Sequence, residues 1–287
     1  MRVIKSILLS VLLVSSAIGQ DQIAVRGSDA MVFLAQRWAQ RLQQIFPVAA
    51  LSVNGGGPAA GAAALASGRA QVAQMPRHLS AREREAVEAH SGHPVLVFPV
   101  AIESVLIAVN ASNPVSELSL RQLHDVYTGK VTNWRDIGGR DEAIHLTSLE
   151  SAVGGSLFFK EVVLGDDDFE TTMRGFTSTK QVTQAIATDP RAIGFGSLIP
   201  SNGLKFVKIR MGSASAIDPS MENVRSARYP LSRYLYWAVA RPMPENLRKI
   251  SNWVLSTEGQ LVVESIGYYP LNASDRAKAT GDITQAQ

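Results

Sequence analysis

The sequence predicts an α/β protein in which mostly parallel sheets are flanked by helices. Two observations predict this class. Short apolar runs typical of strands alternate with segments of helical periodicity along almost the whole chain, and several strands end in a Gly- or Ser-containing turn that opens a helix. The 287 residues are 46% apolar and 18% charged, a composition that supports a large core and is untypical of disordered chains.

The elements follow one another in a regular order. A strand over 22–26 precedes a helix over 30–46, and a strand over 51–54 precedes an alanine-rich helix over 59–67. Further strands are predicted over 70–74, 95–100, 104–110, 143–148, 192–197, 204–209 and 234–240. Further helices are predicted over 80–89, 119–127, 156–164, 180–188 and 245–266. We expect a loop over 218–226 and a flexible polar tail over 272–287.

Residues 1–19 have the features of a secretory signal peptide. Arg2 and Lys5 form a positive start, an apolar run over 7–14 follows, and small residues at 17 and 19 precede Gln20. The pattern predicts cleavage near Gly19 and a periplasmic mature protein. No later segment reaches the about 18 apolar residues that span a membrane. The chain has no cysteine, which excludes disulfides and thiol chemistry.

The charge pattern favours a small anionic ligand over a nucleic acid. The formal net charge is +3, and no basic run is interleaved with aromatic residues. His90 and His93 are the nearest pair among five histidines, and their Gly-Pro-flanked loop does not favour a metal site. No nucleophile motif stands out, so we expect no catalytic residues. We also expect no cofactor and no metal, and we expect the protein to be a monomer.

Three strand-to-helix turns carry the predicted binding chemistry. They read Gly-Ser-Asp at 27–29, Gly-Gly-Gly-Pro at 55–58 and Gly-Gly-Ser at 154–156. Each would present backbone N–H groups and the positive end of a helix at the carboxyl edge of a sheet, where α/β proteins bind ligands. Arg77, which follows a strand, would add a guanidinium for an oxyanion. The alternative at each turn is an ordinary helix cap.

Several stretches resemble, in the same order, the phosphate-type periplasmic solute-binding proteins of ABC transporters. Residues 27–30 are similar to the first anion loop of that family, and residues 54–61 to its second. The Gly-Lys-x-x-x-Trp string within 126–134 and the Tyr-Pro-Leu strings within 229–236 and 267–271 also follow the family pattern.

The resemblance implies a two-lobed type II periplasmic-binding-protein fold with two hinge strands and a ligand between the lobes. Lobe one would comprise 20–99 plus 226–271, and lobe two would comprise 100–225. An ABC permease or a membrane sensor would be the protein partner. The ligand-binding residues that the turns and the resemblance assign are Gly27, Ser28, Asp29, Ala30, Gly57, Pro58, Ala59, Arg77, Glu103, Gly154, Gly155 and Ser156.

The chain departs from the family pattern at several of these positions. Glu103 stands where the family has Asp, and an acidic acceptor suits a ligand that carries a proton, such as hydrogen phosphate. Leu149 stands where the family has Arg, and Pro58 replaces a serine and has no N–H. Two functions stay open: non-catalytic capture of phosphate or a related oxyanion for ABC import, and a ligand-altered or ligand-free scaffold for sensing or partner binding. An unrecognised secreted hydrolase is a more distant third.

Overall fold

Two five-stranded sheets organise the part of the chain that the computed structural model describes, residues 21–46, 49–150, 155–198 and 200–286. The strands are, in chain order, β1 (Asp21–Gly27), β2 (Ala49–Asn54), β3 (Val72–Met75), β4 (Leu96–Ser104), β5 (Leu106–Asn110), β6 (Glu117–Ser119), β7 (His145–Leu149), β8 (Arg174–Phe176), β9 (Ala192–Gly196), β10 (Leu204–Phe206), β11 (Lys208–Arg210) and β12 (Ser232–Val239). The predicted signal peptide and Gly154 lie outside the described residues.

The helices cover both sheets. They are α1 (Asp29–Ile45), α2 (Gly57–Ala66), α3 (Ala81–Ser91), α4 (Leu120–Tyr127), α5 (Gly155–Phe159), α6 (Thr179–Thr188), α7 (Met221–Arg225), α8 (Glu245–Leu255), α9 (Thr257–Ser265) and α10 (Ala273–Thr284). A π-helical turn at Lys160–Leu164 continues α5, and a 3-10 turn spans Trp134–Ile137. No helix of the described ranges is both long and apolar enough to cross a bilayer.

Each sheet is mostly parallel and contains one strand of opposite direction. The first has the order β2-β1-β3-β12-β4, in which β12 runs antiparallel to both neighbours. The second has the order β10-β5-β9-β7-β8, in which β5 is the opposed strand. We call the first sheet and its helices lobe one, and the second sheet and its helices lobe two. The predicted class, two mostly parallel sheets flanked by helices, is confirmed.

Each opposed strand begins where the chain crosses from one lobe to the other. Strand β4 continues through the buried residue Val105 into β5, and Leu231 leads directly into β12. Val105 and Leu231 pack in the core of lobe two, whereas Ile102 and Leu235 pack in the core of lobe one. The cores therefore change after Ser104 and after Leu231, a few residues beyond the boundaries predicted at 99/100 and 225/226. The pairing of β4 with β12 explains this extension, because it persists to the end of β4.

Aromatic residues fill both cores. In lobe one, Trp38 of α1 meets Trp237 of β12 edge to face, with their ring centroids 5.6 Å apart. The indole N–H of Trp38 donates to the carbonyl of Gly259 at the start of α9 over 2.9 Å. In lobe two, the rings of Phe159 and Phe195 stack at 4.0 Å. These contacts hold α1, α5 and α9 next to the space between the lobes.

Two segments differ from the prediction. The expected loop over 218–226 contains α7, whose first turn is capped by the Ser220 hydroxyl. The expected flexible tail over 272–287 is wrong for residues 273–284, which form α10 and pack against α8 and β4. Asn272 caps α10, and Ile283 is fully buried in the core of lobe one. Few apolar residues mark either helix in the sequence, which is why the amphipathic pattern is weak.

Candidate functional site

A cavity of about 460 Å³ lies between the lobes. It adjoins the carboxyl ends of β7 and β9, the edge of lobe two at which the sequence predicts ligand binding. Lobe one contributes α1 and the segment that ends α9, and the hinge contributes the end of β4. The lining residues are Phe33, Glu103, Ser104, Leu149, Gly155, Ser156, Thr179, Phe195, Gly196, Ser197, Glu264, Ser265, Ile266, Gly267 and Tyr268.

Glu103 is the buried carboxyl of this cavity, with 2% of its surface exposed. Its Oε2 accepts a hydrogen bond from Nε of Arg233 at 2.8 Å, and Nη2 of Arg233 lies 2.8 Å from the same oxygen. Its Oε1 has no hydrogen-bond partner within the described part of the chain. Burial raises the pKa of Glu103 to about 7, although Arg233 acts in the opposite direction. Near neutral pH, Oε1 is therefore available either to accept a proton from a ligand or to donate one.

Arg233 joins the two lobes electrostatically. It lies on β12, opposite Glu103 of β4 in the lobe-one sheet, and its Nη1 donates to Oε2 of Glu161 in lobe two at 2.8 Å. The guanidinium carbon stands 4.1 Å from the ring centroid of Phe158. Sequence reasoning missed Arg233, although the stretch 229–236 was recognised, because the sequence does not show that β12 pairs with β4. The acidic residue at 103 was the signal that a buried basic partner was required.

The first predicted loop supports the cavity from lobe one. Gly27 has φ +141°, and a Cβ there would lie 2.2 Å from the carbonyl oxygen of Gln74, so only glycine fits this turn. Ser28 is buried, and its hydroxyl makes no capping bond to α1. The carbonyl of Ala30 accepts a 2.6 Å hydrogen bond from the hydroxyl of Tyr268, a residue of the cavity wall. The loop is thus tied to the site.

The second predicted loop contacts the first through Asp29. Oδ1 of Asp29 accepts a hydrogen bond from the backbone N–H of Gly56 at 2.9 Å. One of the N–H groups that the sequence offers to an anion is therefore occupied by a carboxylate of the protein itself. Gly57, Pro58 and Ala59 form the first turn of α2 and, unlike Glu103, do not line the cavity.

Lobe two brings part of its predicted loop to the cavity. Gly155 and Ser156, the described residues of the third predicted turn, stand at the start of α5 and line the cavity. Thr179 at the start of α6, Gly196 at the end of β9 and Ser197 directly after it also line the cavity and were not predicted. These residues also lie at a strand end or a helix start, but their turns lack the Gly-rich patterns by which the three predicted loops can be recognised in the sequence.

The structure does not bring Arg77 to the cavity. Its guanidinium binds Glu83 through two hydrogen bonds of 2.8 and 3.0 Å and donates to the carbonyl of His78. Glu83 also accepts from the backbone N–H of Ser80, which completes a capping box at the start of α3. The hydrogen bond from Arg77 lowers the pKa of Glu83 to about 2. Arg77 therefore anchors a helix start.

Comparison with known proteins gives relatives that match most of the chain. The phosphate-binding protein PstS of Pseudomonas aeruginosa is 26% identical over 275 residues, which cover 90% of this chain and 85% of that protein. The phosphate-binding protein PstS of Bacillus subtilis is 26% identical over 263 residues, which cover 89% of this chain and 84% of that protein. The sequence resemblance to phosphate-type binding proteins is confirmed.

Solved structures share the fold. A possible phosphate-binding protein from Planctomyces limnophilus superposes with a TM-score of 0.83 at 23% identity and covers 92% of this chain and 98% of that one. An ABC-type phosphate transport receptor from Vibrio cholerae superposes with a TM-score of 0.68 at 24% identity, and the match covers 86% of this chain and 99% of that one. The family model of the PBP superfamily domain matches residues 14–258, and the chain therefore belongs to that family.

Proposed function

We propose that this protein captures phosphate, or a related small oxyanion, between its lobes and delivers it to an ABC permease without catalysing a reaction. The observation that carries the proposal is the position of Glu103, a buried carboxyl at the cavity with one oxygen unpaired among the described residues. The names of the relatives, which are phosphate-binding proteins, support the same ligand.

The chemistry of Glu103 favours a protonated oxyanion. Hydrogen phosphate carries a proton that it can donate to Oε1, whereas sulfate has none. Above about pH 7, where Glu103 is ionised, sulfate would therefore meet an unshared pair of the carboxylate. An unpaired buried acceptor is costly, so the ligand that satisfies it gains the most. Phosphate should therefore bind more tightly than sulfate of similar shape.

The polar wall of lobe two would complete the coordination. Ser156, Thr179 and Ser197 line the cavity and carry hydroxyls, which donate to oxyanions without adding negative charge. We propose that lobe one closes on lobe two once the anion bridges them, with the crossings after Ser104 and Leu231 as the hinge. The closed form would present the surface that the permease recognises, with the protein as a monomer.

Export to the periplasm belongs to the same proposal. The positive start, apolar run and small residues over 1–19 support cleavage near Gly19. A periplasmic location places the binding protein on the side of the membrane from which an ABC importer takes its solute.

Titration calorimetry on the chain without residues 1–19, stripped of ligand by refolding, tests the function. We expect one-to-one binding of phosphate at neutral pH and weaker binding of sulfate. Glu103→Gln offers an N–H donor or a carbonyl at the same place, so it should narrow the preference for phosphate over sulfate. An absence of heat with phosphate, arsenate and sulfate at millimolar concentration would contradict the proposal and favour the ligand-free scaffold.

A further inference from the structure

We propose that Arg233 supplies the guanidinium that binds the ligand anion, and that Glu161 occupies this guanidinium until the anion replaces it. The inference rests on the proposed function, because it names the cationic group of the same site and its internal competitor. Leu149 lines the cavity without a charge, and the described lining residues include no Lys or Arg, so a cation for the anion would come from a neighbouring side chain.

Arg233 is not itself a lining residue of the cavity, but it is bound to Glu103, which is. Glu103 lines the cavity, and two nitrogens of the guanidinium lie 2.8 Å from its Oε2. Phe158 is buried beneath the guanidinium, with its ring centroid 4.1 Å from the guanidinium carbon. A stacked guanidinium keeps its plane and presents its N–H groups at the edge, the arrangement that suits an oxyanion.

The two carboxylates on Arg233 differ in how readily they can leave. The side chain of Glu103 is 2% exposed, and its departure would leave a buried charge without a partner. The side chain of Glu161 is 59% exposed and can return to water at little cost. Glu103 is therefore the permanent partner of Arg233, and Glu161 is the exchangeable one.

Exchange of Glu161 for the anion would couple binding to the positions of the lobes. Arg233 belongs to the lobe-one sheet, and the pair with Glu161 crosses to lobe two at 2.8 Å. Ser156 of lobe two lines the cavity, and its hydroxyl would be the lobe-two donor to an anion held by Nη1. The negative partner of Arg233 thus changes from a lobe-two side chain to the ligand itself.

Calorimetry with inorganic phosphate on the wild type and four variants tests the exchange. Glu161→Gln removes the competitor, and we expect it to tighten phosphate binding about two- to fivefold, the range of an exposed ion pair. Arg233→Gln should weaken phosphate binding more than about tenfold. The affinity of Arg233→Lys should lie between that of Arg233→Gln and the wild type, because Lys keeps the positive charge but cannot form two parallel hydrogen bonds as a guanidinium does.

Asp141→Asn is the matched control. Asp141 also lies in lobe two and forms an exposed ion pair, 2.9 Å from Nη1 of Arg135, with 66% of its side chain exposed. It does not line the cavity, so its loss should leave phosphate affinity unchanged. A similar gain from Asp141→Asn and Glu161→Gln would show a general charge effect and overturn the exchange.

The outcomes separate this inference from the proposed function. If the wild type binds phosphate and Glu161→Gln binds it equally or more weakly, the inference is overturned while the proposed function stands. If Arg233→Gln does not fold, as a thermal melt would show, Glu161→Gln decides the matter because its side chain is exposed. If neither the wild type nor Glu161→Gln binds phosphate, the proposed function fails and the inference fails with it. Binding by Glu161→Gln alone would support the exchange.

Discussion

The hydroxyl of Ser104 lies 2.7 Å from the hydroxyl of Ser232, so the two strands that cross between the lobes are bonded to each other at the hinge. The Ser104 hydroxyl also lies 3.0 Å from the carbonyl of Leu231, which in addition accepts from the backbone N–H of Val105. The two crossings are therefore held to each other, and the proposed closure of the lobes would bend them together.

This hinge contact should contribute measurably to stability. We expect Ser104→Ala to lower the free energy of unfolding by about 1–2 kcal/mol, since the hydroxyl loses its bond to Ser232 and its bond to the carbonyl of Leu231, which keeps its backbone donor. Urea denaturation measures it. Thr284→Ala serves as control, because its hydroxyl makes an exposed bond to the carbonyl of Thr280, and should cost less than about 0.5 kcal/mol. Equal effects would contradict a special role of the hinge pair.

The carboxyl of Glu103 should make stability fall with rising pH in one window. Burial raises its pKa to about 7 from the ordinary 4.5. Between these values the folded protein retains a proton that the unfolded chain has released, so this contribution is complete below about pH 4.5 and is lost as the pH rises through about 7. We expect Glu103→Gln to show a flatter dependence in this window. Urea denaturation at several pH values measures both, and parallel curves would contradict the burial effect.

The side chain of Arg77 should stabilise α3 and leave binding unaffected. Its two hydrogen bonds to Glu83 hold it at the start of the helix, and its side chain is 47% exposed. We expect Arg77→Ala to cost about 0.2–1 kcal/mol of unfolding free energy and to leave phosphate affinity unchanged. Calorimetry beside a urea titration separates the two quantities. A large loss of affinity would return Arg77 to the binding residues that the sequence assigned.

The contact of α2 with the first loop should depend on Gly61. A Cβ at this position would lie 2.7 Å from the carbonyl oxygen of Arg26 and from Cα of Gly27. We expect Gly61→Ala to cost about 1–3 kcal/mol, because backbone atoms must move apart, and to weaken phosphate binding through the displaced loop. Gly281→Ala in α10 is the control, since its Cβ would meet nothing within 4 Å, and it should stabilise by about 0.5–1 kcal/mol. A neutral Gly61→Ala would contradict the close packing.

The local patterns of the sequence predicted the order of the elements well. The helical spacing of Met31, Leu34, Trp38 and Leu42 predicted α1, and all four are buried. Gly155 and Ser156 were placed at the site because a turn after a strand is a local feature. Residues 273–284 were not recognised as a helix, because few apolar positions face the core.

The partners of charged side chains were not predictable in the same way. Arg233 and Glu103 are 130 positions apart and meet only through the register of β12 and β4. Arg77 was assigned to the cleft because it follows a strand, yet Glu83 lies six positions further along the chain and binds it. A long-range pairing decided the first case, and a capping box that competes for the guanidinium decided the second.

The single opposed strand in each sheet constrains the order in which the protein can be assembled. The strands of the second sheet all lie between Leu106 and Phe206, so this sheet can form from a continuous stretch as soon as the stretch is synthesised. The first sheet has no link between β3 and β4 until β12 enters between them, and β12 ends at Val239. The earliest-made strands must therefore wait, incompletely paired, for one of the latest, and the first part of the chain to emerge is among the last to complete its fold.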